Sequence, residues 1–250
     1  MAFKNANESH DHSRGILDLI YGYDSFLDSI SVVADFGCGH GLDVEWWATL
    51  MTRDDPPEPR DYIVYGIDQD LSRIDDSIRE LPNVRLFEAD FEGDHIIPRN
   101  CDLLWAHNSF QYSIDPFKTL KHWNQQMNTN GMMIMSMPQN IHYEYNRLQN
   151  NSYSGVYYNY NIVNLIYMLA VSGFDCKDAY FYRNQNDPWL YAAVYKGGEP
   201  LDPKKTSWHD LVDMNYVNDS VKSSLNKNNY VKQEDLVTVW LDKDFYRMKE

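Results

Sequence analysis

Residues Ser31 to Ala48, SVVADFGCGHGLDVEWWA, decide the fold. A β-branched pair, Val32-Val33, leads to Asp35. Glycines follow at Gly37, Gly39 and Gly41, and then an apolar-rich run with Val44, Trp46, Trp47 and Leu50. These read as strand, glycine turn and helix. Glycine reaches positive φ without strain and lets a ligand approach the backbone, because no Cβ intervenes. The helix behind it offers unpaired N–H groups to an anion. The stretch is therefore a cradle for a small molecule bearing a nucleoside.

On the N-terminal side, residues 1–13 read as a mobile arm. His10 and His12 stand beside acids there, a pattern shared by metal ligands and solvated tails, and the solvated tail is the expectation. Ile16, Leu17, Ile20, Tyr21 and Leu27 recur at helical spacing and predict an amphipathic helix, with Tyr21 and Tyr23 as packing or lid residues.

On the C-terminal side, the glycine helix is expected to end near Thr52. The Pro-rich TRDDPPEPRD then makes a surface loop. Tyr62 to Ile67 is a buried strand ending at Asp68, and Leu71 to Leu81 a helix with Asp70 as N-cap. Val84 to Phe87 and Cys101 to Ala106 are the third and fourth strands. A helix over Phe117 to Met127, a TNG turn and a fifth strand over Met132 to Met137, stopped by Pro138, follow. Alternating strands and helices predict a three-layer, doubly wound α/β fold with a mostly parallel sheet. Ligands bind such sheets at the carboxyl ends of the strands, where Asp35, Asp68, Asp90, His107 and Asn108 gather.

Residues 139–159 are rich in Tyr and Asn and form an excursion that reads as a substrate lid or as a surface loop. Tyr160 to Ser172 returns to helix with Gly173 as C-cap. Asp175 to Tyr182 and Trp189 to Lys196 pair as a hairpin. Residues 198–250 are a C-terminal helical appendage beside the main domain of 15–197 and the arm of 1–14. Ser207 and Asp210 resemble a capping box there. Leu236, Val237, Val239, Trp240 and Leu241 suit a short helix or strand.

Composition narrows the function. The chain has 250 residues, 43% of them hydrophobic, and a net charge of −15, and its longest basic run is Lys204-Lys205. Nucleic acid is thus a disfavoured partner and a small molecule a favoured one. The three scattered cysteines give neither a disulfide framework nor zinc-ligand spacing. No apolar run approaches the roughly 20 residues of a membrane span, and the N-terminus has no apolar secretory segment, so a cytoplasmic setting is expected.

Several segments, taken together and in order, resemble the class I S-adenosylmethionine-dependent methyltransferases. They are Asp35-Phe36-Gly37-Cys38-Gly39-His40-Gly41, Tyr65-Gly66-Ile67-Asp68, Glu88-Ala89-Asp90-Phe91, Cys101-Asp102-Leu103-Leu104-Trp105-Ala106 and Gly131-Met132-Met133-Ile134. The terminal hairpin matches too, and the likeness covers about residues 15–197. It implies a Rossmann-like sheet ending in an antiparallel pair, and S-adenosylmethionine as donor with S-adenosylhomocysteine as product. It also implies cofactor contacts from Asp35, Gly37, Gly39, Gly41, Asp68, Gln69, Asp90, Phe91 and His107. Asp35 would hold the ammonium, Asp68 the ribose hydroxyls and Asp90 the adenine amino group, with Phe91 on the ring. Each has a plainer reading: turn glycines, Asp68 as a helix cap, Asp90 as a turn residue, His107 as a structural histidine and Cys38 as a filler. A nicotinamide dehydrogenase is the competitor on this scaffold, but its GxGxxG spacing is absent.

Methyl transfer needs a base only for a hydroxyl or a protonated amine. His107 and His142 are the candidate catalytic residues. Asn108, Gln111, Tyr112, Tyr143 and Tyr145 are the candidate substrate residues. The Pro-Pro-aromatic loop of the nucleic-acid amino-methyltransferases is missing, as is the carboxylate cluster of the metal-dependent type, so no metal is expected. The acceptor is expected to be a small molecule, less readily a protein side chain. The alternative is a cofactor-binding but inactive partner subunit.

Overall fold

The computed structural model describes residues 10, 13–15, 17, 23–52, 54, 56–93, 97–138, 158, 160–183 and 189–236. The β-branched run forms β1, Val32–Phe36, with every residue buried. The other strands are β2 (Ile63–Asp68), β3 (Val84–Glu88), β4 (Cys101–His107), β5 (Met127–Pro138), β6 (Phe174–Arg183) and β7 (Trp189–Lys196). They build one seven-stranded sheet of order β3-β2-β1-β4-β5-β7-β6. The pairs β1–β2, β1–β4, β2–β3 and β4–β5 are parallel, and β7 runs antiparallel to both β5 and β6. The expected fold class is therefore observed, hairpin included.

The helices are α1 (Tyr23–Ser29), α2 (Leu42–Ala48), α3 (Asp76–Arg79), α4 (Pro116–Gln126), α5 (Ile162–Val171), α6 (Trp208–Asp213) and α7 (Asp219–Asn228). Alternation along the strands divides the apolar side chains between two faces. Val32, Ala34 and Phe36 pack with Leu120 and Trp123 of α4 and with Leu165 and Leu169 of α5. Val33 packs on the opposite face with Leu27 of α1, Val44 and Trp47 of α2 and Ile78 of α3. Helices thus cover both faces, giving three layers. Gly66 of β2 makes room for α2: a Cβ there would lie 2.9 Å from Val44 Cγ2 and 2.8 Å from Leu86 Cδ2.

Most element ends shift by a residue or two from the sequence reading, and three differences are larger. The helix expected over Leu71 to Leu81 is a 3-10 turn, Leu71–Arg73, followed by the single turn of α3. Ile74 between them is extended (φ −87°, ψ 127°). That break lets both Ile74 and Ile78 reach the glycine turn, where each has an atom 3.3 Å from the Cβ position of Gly41. Asp70 does cap the first piece, accepting from Ser72 N–H. The glycine helix stops at Ala48, before Thr52. The TNG turn lies inside β5: Cys101 pairs with Met127, Leu103 with Met132, and Asn130 between takes φ 66°.

The chain from α6 onward docks on the α4–α5 side. Leu211, Val217, Val221 and Leu236 are buried with that core, and Cys176 of β6 bridges to Val217. Ser207 and Asp210 form both halves of the capping box. Of the apolar cluster over 236–241, only Leu236 lies among the described residues. No helix among them is long and apolar enough to cross a membrane.

Trp123 ties the helix layer to the strand ends. It is fully buried, its Nε1 donates to the Phe91 carbonyl at 3.0 Å, and its ring centroid lies 5.6 Å from those of Phe36 and Phe110. Trp123→Ala removes that packing and leaves a cavity, so it should cost about 3–5 kcal/mol in urea unfolding. A loss below about 1 kcal/mol would contradict this packing.

Candidate functional site

The same alternation selects the side chains that meet at the carboxyl edge. Asp35 shares the α2 face of β1 with Val33, His107 that of β4 with Leu103 and Trp105, and Ser136 that of β5 with Met132 and Ile134. The polar edge therefore sits over α2, beside the glycine turn. β1 is also where the strand order reverses, the position at which doubly wound sheets open a crevice.

In the turn, Gly37, Gly39 and Gly41 all have positive φ. Gly37 matters most, because at φ 81° a Cβ would stand 2.4 Å from Ser109 Cβ and 3.6 Å from a Phe91 ring carbon. Gly37 and Cys38 donate to the Ile67 carbonyl, fastening the turn to the end of β2. Asp68, also buried, accepts from Gly39 N–H at 2.9 Å on one oxygen and from Asp70 N–H at 3.0 Å on the other. Its role as a local cap and its place beside the glycines thus coexist. Cys38 is buried, and burial pushes its thiol up, which fits a filler and not a nucleophile.

A second cluster gathers on Asp43, in the first turn of α2. Its carboxylate is buried, and each oxygen is engaged. One accepts from His10 Nδ1 at 2.7 Å and Trp105 Nε1 at 2.9 Å; the other accepts from Arg14 Nε at 2.8 Å and Nη2 at 2.6 Å. Arg14 also reaches the Leu42 carbonyl and lies over the Trp46 ring. His107 Nδ1 lies 2.7 Å from Ser13 Oγ and 2.8 Å from Ser136 Oγ, and the His10 and His107 rings are 4.3 Å apart. His10 is therefore not the solvated tail residue that its sequence setting suggests. The ligand-type atoms of His10, Asp43 and His107 lie within 4.8 Å of one another, close enough to share a cation. The carboxylate, however, already carries donors on all its lone-pair directions.

The remaining sequence candidates fall as follows. Gln69 is exposed beside Asp68. Asp90 is exposed and accepts from Glu92 N–H, the turn role that its plainer reading gives. Phe91 lies against Trp123 and the Gly37 turn. Asn108 follows β4 at φ 52°, and Gln111 donates to both its oxygens. Tyr112 ends that loop, half-buried. His142, Tyr143 and Tyr145, with most of the proposed lid, lie outside the described residues. Sequence reasoning missed Asp43, Arg14, Ser13, Trp105, Ser109 and Ser136. Only Asp43 carried a legible signal, an acid in the first turn after the glycines.

The two buried acids pull in opposite directions. Burial, then the charges of Asp43 and Asp68, push the Asp35 carboxyl well above the ordinary carboxylate range. Burial also acts to raise Asp43, but His10, His107 and Arg14 outweigh it and hold Asp43 below that range. An acid raised by the fold costs stability above its folded pKa, and the cost vanishes below its unfolded one. A depressed acid stabilises above its unfolded pKa, and the gain is lost as pH falls through its folded one. At pH 7, Asp35→Asn should therefore raise the thermal midpoint and Asp43→Asn should lower it. Shifts of the same sign in the two variants would refute this account.

No protein-family model matches the chain. The trans-aconitate 2-methyltransferase of Enterobacter sp. (strain 638) is 30% identical over 118 residues, 46% of this chain and 42% of that protein. An Escherichia coli counterpart is 28% identical over 114 residues, with the same coverage. The matches thus span less than half the length of these curated relatives. Among solved structures, the Burkholderia thailandensis 1,6-didemethyltoxoflavin-N1-methyltransferase, with S-adenosylhomocysteine bound, superposes with a TM-score of 0.54 at 12% identity. It covers 76% of this chain and 78% of that one. The N-methyltransferase NodS of Bradyrhizobium japonicum WM9 gives 0.52 at 11% identity, over 78% of this chain and 99% of that one. Sequence likeness in one stretch and superposition over three quarters of the chain agree with the sheet order and the glycine turn: the fold is that of the class I S-adenosylmethionine-dependent methyltransferases.

Proposed function

We propose that the chain transfers the methyl group of S-adenosylmethionine to a small-molecule acceptor. The observation that carries this reading is the Gly37 turn, pressed so closely on Ser109 that a Cβ would fill the space, with Asp35 and Asp68 buried on either side. Ser109 Oγ is itself buried and has no hydrogen-bond partner among the described residues, a polar atom that a bound group would satisfy.

The residues fit such a group. The glycine turn would hold its methionyl part, Asp35 its ammonium, and Asp68, with Gln69 beside it, the ribose hydroxyls. Phe91 would lie on the adenine, and Asp90 would reach its amino group with whatever capacity its turn leaves. When bound, S-adenosylmethionine supplies a methyl group on an activated leaving group. What the chain adds is positioning and electrostatics. His107 stands at the end of β4 on the α2 side, where it would border both the donor and the acceptor. Asn108, Gln111 and Tyr112 extend the acceptor side, and the 139–159 excursion would close it. Nothing in this scheme calls on a metal, and a cytoplasmic setting suits it. Trans-aconitate, the acceptor named for the relatives, is the carboxylic-acid member of an acceptor screen.

Calorimetric titration of the full chain tests the reading. S-adenosylmethionine and S-adenosylhomocysteine should each bind at micromolar concentration and NAD should not. Asp68→Ala should weaken both by at least about tenfold, since it removes a buried acceptor and frees Gly39 N–H, with the circular dichroism unchanged. Absence of binding by either compound would overturn the proposal.

A further inference from the structure

We propose that His10, from the segment ahead of the domain, is the general base of the methyl-transfer site, and that the acceptor is consequently a hydroxyl or an amine and not a carboxylate. This rests on the function proposed above. Three observations lead to it.

The first is the state of Asp43. Its carboxylate is buried and accepts from Trp105 and Arg14 as well as from His10. Trp105 Nε1 is a donor only, and the permanently charged Arg14 guanidinium meets one oxygen through two nitrogens, which favours the ionised, acceptor-only carboxylate. His10 Nδ1, at 2.7 Å from that carboxylate, must then be the N–H of the ring. In a neutral imidazole the lone pair is left on Nε2. A buried carboxylate that fixes one nitrogen and frees the other as acceptor is the arrangement by which a histidine is made a proton acceptor.

The second is place. Asp43 lies in the first turn of α2, directly after the glycine turn. The His10 ring lies 4.3 Å from that of His107, at the carboxyl end of β4. His10 therefore stands between the turn that would hold the donor and the loop that would hold the acceptor. Its side chain is 19% exposed, enough to meet a ligand.

The third is that His10 Nε2 makes no hydrogen bond among the described residues, whereas His107 Nδ1 lies between two serine hydroxyls. His10 Nδ1 meets a carboxylate, which accepts only, whereas the serine hydroxyls at His107 Nδ1 can donate or accept and leave its tautomer unfixed.

The proton balance sets the acceptor class. The acceptor's lone pair forms the new C–O or C–N bond, and the carbon–sulfur bond of the donor breaks with its electron pair left on sulfur. The acceptor's proton passes to His10 Nε2, and the resulting imidazolium is stabilised by Asp43. A carboxylate is ionised already near neutral pH and would have no proton to give.

The experiment uses the full chain with ¹⁵N-labelled histidine. Two-bond ¹H–¹⁵N spectra at pH 7, with His10 assigned by its absence in His10→Asn, should show the proton on Nδ1 and a lone pair on Nε2. A proton on Nε2, or on both nitrogens, would overturn the proposal. His10→Asn keeps an N–H for Asp43 while removing the Nε2 acceptor, so the variant should fold and bind S-adenosylmethionine within about twofold of the parent. Transfer from labelled donor to panels of phenols, amines and carboxylic acids should reach the first two classes and fall by about 100-fold or more in the variant. Transfer to carboxylic acids alone, transfer to none of the panels with donor bound, or an unchanged rate in the variant would each refute the base. Failure of the donor to bind would fail the proposed function instead, and the His10 tautomer is read in the free protein either way.

Discussion

Among the described glycines, the tightest approach is that of the glycine turn to the loop after β4. β1 and β4 are neighbours, and the strand order reverses between them, so the chain leaving each must turn away from the sheet without closing the gap above it. Gly37 permits this because it has no Cβ to meet Ser109. The rest follows from that clearance. The turn can then donate to the end of β2, α2 can settle over Val33 and Gly66, and the first turn of α2 can bring Asp43 under the strand ends. Any side chain at Gly37 would push the β4 loop outward and shift His107 and Asn108 with it.

Asp43 is the second organising element, because it recruits groups from distant parts of the sequence. Trp105 reaches it from the sheet, while His10 and Arg14 reach it from the segment ahead of α1. A buried ion pair is seldom a net gain over well-packed apolar groups, but removing one member from a saturated carboxylate leaves an uncompensated charge. The network thereby ties His10 and Arg14 to the first turn of α2, whatever its net contribution to stability.

The strands, the mostly parallel sheet and the hairpin were legible because each strand is a β-branched or apolar run bounded by turn residues, and alternation with helices leaves few topologies. The glycine turn was legible for the same local reason. The break at Ile74 was not, since the sequence through it keeps a helical pattern of apolar residues. Only the packing of Ile74 and Ile78 on Gly41 makes extension at that position the better solution. The site divides in the same way. Asp35, Asp68 and His107 end strands and could be read in place. His10, Ser13 and Arg14 sit in a polar stretch whose composition is that of a tail, and their partners are side chains far along the chain. Ser136 was hidden inside an apolar strand, where only the meeting with His107 and Ser13 gives its hydroxyl a purpose.

The opposed environments of Asp35 and Asp43 connect stability to ligand binding. Asp43 is compensated within the fold, whereas at Asp35 burial and two acidic neighbours outweigh the charge of Arg14 and disfavour ionisation. A fold that keeps such a group stores an unfavourable interaction at the site, and natural proteins retain that kind of cost where function needs it. In the function proposed above, a donor bearing an ammonium and a sulfonium would remove the cost, because an opposite charge favours the ionised carboxylate. Part of its binding energy would then be the relief of that penalty. Since ligand that binds only the native state stabilises it in proportion to RT ln(1 + [L]/Kd), the same relief would couple donor binding to the stability of the fold. The acid that weakens the free protein would thereby be the one through which occupancy of the site is felt by the fold.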